Sequence, residues 1–207
     1  MKKLLWTVAL VASCGLVHAT PINAPSSLIG TSVLDGNKAY EWGISIAVKP
    51  GQQVASAQID FTNIKLTAAN SSGHGYLYTD LLKSGNTGVH TFTDNDAAGD
   101  YFKTQFTAAN ITSLGTKNFA SVGTTLSWSY VLTGTQLAVL NTYLLANGVF
   151  DIGLDPDCHY TVGGLSFTYT LGPTPKTSVP DVATTAFLLG ISLAGLELLR
   201  RKFALAK

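Results

Sequence analysis

From Leu126 to Leu132 apolar and polar residues alternate. Leu126, Trp128, Tyr130 and Leu132 are separated by Ser127, Ser129 and Val131. Successive side chains of a strand point to opposite faces, so this period of two describes a strand with one face buried. The same pattern recurs along the chain. Tyr40–Val48 places Trp42, Ile44, Ile46 and Val48 on one face and is closed by Pro50-Gly51, a turn pair. Val54–Leu66 alternates around Ile59 and Phe61, loses phase at Asn63 and resumes with Ile64 and Leu66, as a β-bulge would require. Tyr76–Leu82, Val89–Thr93, Val149–Leu154 and Leu165–Leu171 are further strand candidates between Gly-, Asn- and Ser-rich turns. One helix interrupts them, at about 135–146. Thr135 is its expected cap, Leu137, Leu140, Leu144 and Leu145 fall at helical spacing, and Asn147-Gly148 stops it. Short strands and Gly-rich turns over ~140 residues predict an all-β fold, a β-sandwich of the jelly-roll kind.

Both ends of the chain are set apart from this domain. Residues 1–19 read as a secretory signal peptide. Lys2-Lys3 leads an apolar stretch from Leu4 to Val17, and Val17-His18-Ala19 puts small residues where a signal peptidase cuts, between Ala19 and Thr20. A rival reading is a lipoprotein, since Val11-Ala12-Ser13-Cys14 fits a lipobox with Cys14 acylated. Cleavage after Ala19 leaves Cys158 as the single cysteine, buried or available to cross-link chains. The expected organisation is a signal peptide at 1–19, a secreted domain at 20–172, a Pro/Thr spacer at 173–178 and a C-terminal segment at 179–207. Residues 20–178 hold seven Lys against ten Asp and Glu, a net charge of −3. There is no basic patch, which argues against nucleic-acid binding.

The C-terminal segment opens with Val179-Pro180-Asp181. From Val182 to Leu199 it is apolar except for Thr184, Thr185, Ser192 and Glu197, and Arg200-Arg201-Lys202 follows. Eighteen residues make a helix of about 27 Å, close to the ~30 Å hydrocarbon core of a bilayer. Gly190 and Gly195 are tolerated in membrane helices, and Glu197 lies one turn from Arg200 and Arg201. The three cations act as a stop-transfer cluster on the cytoplasmic side. The competing reading is a buried core helix of a soluble protein, which a run apolar on all faces and closed by three cations fits less well.

A Val-Pro-Asp motif, a transmembrane helix and an Arg-rich end, in that order, resemble the C-terminal sorting signal of bacterial exosortase substrates, the PEP-CTERM class. The variant it is most similar to begins Val-Pro-Asp (VPDSG-CTERM). Thr184-Thr185-Ala186 running into Phe187-Leu188-Leu189-Gly190 is similar to the continuation of that signal, whereas Val182-Ala183 departs from its Ser-Gly pair. The resemblance implies an exported protein, held in the membrane by its C-terminal helix and processed by an exosortase. It would then be released to, or anchored at, the cell surface or extracellular matrix, in the company of biofilm exopolysaccharide. The implied role is structural or adhesive.

Few residues offer chemistry. Asp155-Pro156-Asp157-Cys158-His159-Tyr160 is the densest polar cluster. Calcium would suit Asp155 and Asp157 helped by carbonyls. Zinc would need a second ligand pair that the sequence lacks, and the plain alternative is a tight loop between the last two strands. Asp94-Asn95-Asp96-Ala97-Ala98-Gly99-Asp100 fails as an EF-hand, with Ala98 at position five and Gln105 at position twelve, and reads as a polar turn more readily than as a calcium site of another kind. No Gly-x-Ser-x-Gly elbow occurs, and Cys158 and His159, adjacent on a strand, point apart. Glu41 is the single glutamate of the secreted domain. It reads as a strand residue at the edge of an aromatic core more readily than as a glycosidase carboxylate. The expectation is therefore no enzyme and no cofactor beyond a possible calcium ion. The alternative to a structural role is a calcium-dependent carbohydrate-binding module, with Tyr76, Tyr78, Trp128 and Tyr130 as an aromatic platform.

Overall fold

In a computed structural model of the chain, residues 19–29, 33–68, 75–83, 86–94 and 99–175 are described. They form two five-stranded sheets in which every neighbouring pair is antiparallel. The first sheet runs β1 (Thr20–Asn23), β10 (His159–Pro173), β4 (Gln52–Ala68), β8 (Thr125–Val131), with β2 (Val33–Leu34) also paired to β10. The second runs β6 (Gly88–Thr93), β3 (Lys38–Ser45), β9 (Val149–Pro156), β5 (Tyr76–Leu82), β7 (Ile111–Asn118). Two helices accompany them among the described residues, α1 (Tyr101–Gln105) and α2 (Gly134–Asn147).

The sheets face each other across one core, as in a β-sandwich. Ile59, Ile64, Leu66, Tyr160 and Phe167 come from the first sheet; Trp42, Ile44, Leu77, Leu81, Phe150 and Ile152 come from the second. Phe150 and Phe167 meet across the layers with ring centroids 5.0 Å apart. Each such side chain removed from water contributes about 1.5–3 kcal/mol. The loss of phase in β4 is a bulge. Asn63 has φ 51, and the pairing with β8 shifts between Phe61 and Ile64. Ala57, Ile59 and Phe61 point inward before it and Ile64 and Leu66 after it. A regular strand would have turned Asn63 and Lys65 into the core.

The helix over 134–147 starts earlier than the sequence suggests. Its cap is Thr133, not Thr135, and the Thr133 N–H donates to Gln136 Oε1 at 2.9 Å, the return half of a capping box. Gly148, at φ 68, closes it with an N–H bond to the Leu144 carbonyl. The buried side chains are Leu140, Tyr143 and Leu144, while Leu145 is 85% exposed. Tyr143, not Leu145, completes the inward face. Asn141 ties the helix to β4, accepting from the Val54 N–H at 2.8 Å and donating to its carbonyl at 2.9 Å.

Two expectations are corrected. The tight loop between the last two strands does not pair them with each other as a hairpin would: β9 belongs to the second sheet and β10 to the first, so Asp157-Cys158 carries the chain from one layer to the other. A second helix, α1, also exists. Its sequence Tyr101-Phe102-Lys103-Thr104-Gln105 is too short to show a period.

Candidate functional site

The outer face of the second sheet, turned away from the core, carries an unusual concentration of acid. Gly153 on β9 pairs with Glu41 of β3 on one side and Asp80 of β5 on the other. Asp151 and Asp155 lie two residues before and after it on the same face. Four carboxyl side chains therefore surround one glycine. None is open to solvent: Asp80, Asp151 and Asp155 are 0% exposed and Glu41 is 3% exposed.

α1 covers them. Phe102 rests on Gly153 so closely that a Cβ there would lie 2.8 Å from the aromatic ring. With Ala39 and Leu82 it forms a small second core, edged by Phe92, Tyr101, Phe106 and Ile111. Phe92 stacks on Tyr101 with centroids 5.9 Å apart. Asp100 is the N-cap of α1, accepting from the Lys103 N–H at 3.4 Å and pairing with Lys103 Nζ at 3.0 Å. The Tyr101 N–H donates to Asp155 Oδ2 at 2.7 Å. One turn of helix thus supplies a plug, an amide donor and a cation to the acidic face.

Burial dominates the electrostatics. It pushes the Asp80 carboxyl up to about 8, the nearby Asp100 raises it further, and Lys103 and Ser113 oppose. Burial also pushes Asp155 up to about 8; the Tyr101 N–H opposes this, while Asp94, Asp157 and Asp100 add to it. Both groups hold a proton at neutral pH, because a buried carboxylate lacks the hydration that stabilises its charge. The Tyr78 hydroxyl is pushed up to about 12 by burial first, then by Asp157, Asp155 and Asp100.

The residues singled out from sequence fall in different places. Asp155 lies on the acidic face, and Asp157 sits in the crossover beside it, its N–H donating to the Tyr76 carbonyl at 2.9 Å. Among the described residues no three His, Cys, Asp or Glu side chains are grouped to hold a metal ion. Cys158 is buried, whereas His159 faces outward near Asp35, its Nδ1 accepting from the Gly36 N–H at 3.2 Å. The four aromatics do not make one platform. Trp128 and Tyr130 lie on the first sheet and pack against the core, Trp128 stacked on Phe61 at 4.4 Å, while Tyr76 and Tyr78 lie on the second. Thr20 opens β1, opposite Tyr169. Cys14, the helix expected at 182–199, Val179, Pro180 and Asp181, and Arg200, Arg201 and Lys202 lie outside the described residues, and among those described no helix is long and apolar enough to cross a membrane. Sequence reading missed Asp80 and Asp151; the available signal was an aspartate inside each of two apolar strands, Tyr76–Leu82 and Val149–Leu154, whereas Asp100 was singled out only as part of a failed EF-hand loop.

Residues 178–203 match the VPDSG-CTERM motif. The chain carries a sorting signal of the PEP-CTERM class. The VPDSG-CTERM signal implies processing by an exosortase and association with a membrane, and it is consistent with an exported protein directed to the cell surface. The match stops short of the sandwich. Comparison with curated proteins finds no match, and comparison with solved structures finds none.

Proposed function

We propose that this is an exported protein whose sandwich domain is delivered to the cell surface or extracellular matrix by exosortase processing and has a structural or adhesive role there. The observation that carries the reading is the VPDSG-CTERM signal at 178–203. In this reading a membrane-spanning helix at 182–199 holds the precursor until processing, and signal peptidase frees Thr20, which leaves β1 whole. The domain has no catalytic role and keeps company with exopolysaccharide. We further read its winding as a jelly roll. With β6 set aside, the sheets are β1-β10-β4-β8 and β3-β9-β5-β7. The chain crosses between them from β2 to β3, β3 to β4, β4 to β5, β7 to β8, β8 to β9 and β9 to β10.

The test is the intact mass of the protein recovered from medium, surface and membrane fractions of its host, with and without the exosortase. The expected result is a chain that begins at Thr20 and has lost Arg200–Lys207, and that keeps this tail when the exosortase is deleted. A tail retained in both strains would sink the reading. A calcium-dependent carbohydrate-binding module is the second reading, supported by Asp155 Oδ1, which is buried beside Asp157 without a hydrogen-bond partner. It requires glycan binding that a chelator abolishes.

A further inference from the structure

α1 is fixed to the acidic face by Phe102 over Gly153, by the Tyr101 N–H on Asp155, and by Asp100, which caps the helix and pairs with Lys103. Beneath it lies Asp80. Its side chain is wholly buried, and neither oxygen makes a hydrogen bond of ordinary geometry. Its polar neighbours are the Ser113 hydroxyl and a second carboxyl, that of Asp100, within hydrogen-bonding reach. Two ionised carboxylates carry acceptors only, so their contact is satisfied when one of them holds a proton.

We propose that α1 is a proton-latched lid: a proton held by Asp80 on β5, against Asp100 at the helix cap, keeps it closed over the acidic face, and loss of that proton releases it.

The surroundings of Asp80 explain why a proton fills this place. α1 contributes Lys103, whose ammonium already occupies one side of Asp100. A metal ion bridging the same carboxylates would sit against that charge. β7 contributes Ser113, directly opposite Asp80 in register, and β9 contributes Gly153, with Asp151 and Asp155 flanking it. β3 adds Glu41 beyond Gly153, β5 itself adds Tyr78, and β8 adds Tyr130, which feels the Asp80 charge. Lys103 is thus the one cation among these groups. A proton neutralises a carboxyl without needing further ligands, which the face does not assemble among the described residues. Burial and Asp100 together keep Asp80 protonated up to about pH 8. An open hollow of about 270 Å³, lined by Lys103, Phe106, Ala108, Ile111 and Ser113, brings solvent beside the pair.

Above that range Asp80 ionises against Asp100, directly under the helix cap. Releasing α1 hydrates them and exposes Glu41, Asp80 and Asp155 together with the apolar ring of Ala39, Leu82 and Phe92. An exported domain meets the pH of its surroundings without cytoplasmic buffering. That consequence rests on the proposed export, whereas the latch does not.

Hydrogen exchange of the Tyr101 and Phe106 amides in the full chain, in detergent micelles, tests the latch. It is followed from pH 5 to pH 9 and corrected for the intrinsic pH dependence of exchange. Opening that releases one proton becomes tenfold easier per pH unit until the folded group titrates. Asp155 adds a proton of its own, so the criterion is the difference between two chains. Asp80→Asn gives Asp100 a permanent amide donor, and its opening is expected to lose one tenfold-per-unit step and to stay below that of the wild type at pH 9. Asp100→Asn makes the mirror test if the first variant does not fold. Equal pH profiles in wild type and variant would overturn the proposal. Protection at pH 9 that calcium raises and a chelator removes would also overturn it, because the occupant would then be a cation. The intact-mass experiment above is independent, so failure of the export reading and failure of the latch can be told apart.

Discussion

Gly153 is where the acidic face depends on a missing atom. A methyl group there would lie 2.8 Å from Phe102 Cδ2 and 2.9 Å from Cε2. The ring is held from its sides by Phe92 and Tyr101 in edge contacts, so it cannot simply retreat. Gly153→Ala is expected to destabilise by about 1–3 kcal/mol, the usual cost of overpacking, and to loosen α1 in particular. Urea unfolding gives the first quantity, and exchange of the Phe106 amide gives the second. On β3, a Cβ on Gly43 would collide with the Asn86 carbonyl and lie 2.8 Å from Asp151 Oδ1. Glycines on β3 and β9 thus make room for what packs over the acidic face, the Asn86 backbone at one and the Phe102 ring at the other. From sequence these glycines read as weak spots in strands. The reason for them is visible only once Phe102 and Asn86 are placed.

Among the elements, β4 shows how one residue sets the inward face of a long strand. Asn63 takes up the extra position of the bulge at φ 51, and its N–H donates to the Ser127 hydroxyl oxygen at 2.9 Å. Asparagine tolerates this conformation, and a β-branched residue does not. Asn63→Val is expected to cost about 1–2 kcal/mol, read as a lower urea midpoint, while Asn63→Gly leaves the midpoint nearly unchanged. Equal losses in both would mean that the side chain, and not the backbone, holds the bulge. The break of phase at Asn63 was legible because it lies within one strand. The helices differ from each other in this respect. α2 has fourteen residues and a glycine stop, so its existence is written locally, but its inward face is not, because β4 and Asn141 fix the rotation that buries Tyr143 and exposes Leu145. α1 has five residues, fewer than two turns, and owes its place to the acidic face beneath it.

For the molecule as a whole, the buried acids make stability depend on pH. Asp80 and Asp155 each have a folded value near 8 against an ordinary value of 3.8. Between those limits the folded chain binds protons that the unfolded chain has lost. Stability from these groups is therefore full below about pH 4, falls as pH rises, and is lost above about pH 8. Each group contributes a slope of up to about 1.4 kcal/mol per pH unit in that window. Thermal unfolding followed from pH 5 to pH 9 is expected to show Tm falling steadily, and a flat or rising Tm would contradict the burial of these carboxyls in protonated form.

What the sequence determined by itself was everything carried by neighbours in the chain. The alternation of Leu126, Trp128, Tyr130 and Leu132, the slip at Asn63 and the stop at Gly148 are local, since strand and helix periods span only a few residues. The VPDSG-CTERM signal is local as well, because it is recognised as a contiguous stretch. Tertiary structure alone decided what depends on register between distant strands. Glu41, Asp80 and Asp151 stand on three separate strands, and only the antiparallel pairing of β3, β9 and β5 sets them around Gly153. The crossover at Asp157-Cys158 was hidden for the same reason: whether two successive strands pair or change layer depends on which partners compete for their edges, and β4 and β5 outcompete the hairpin.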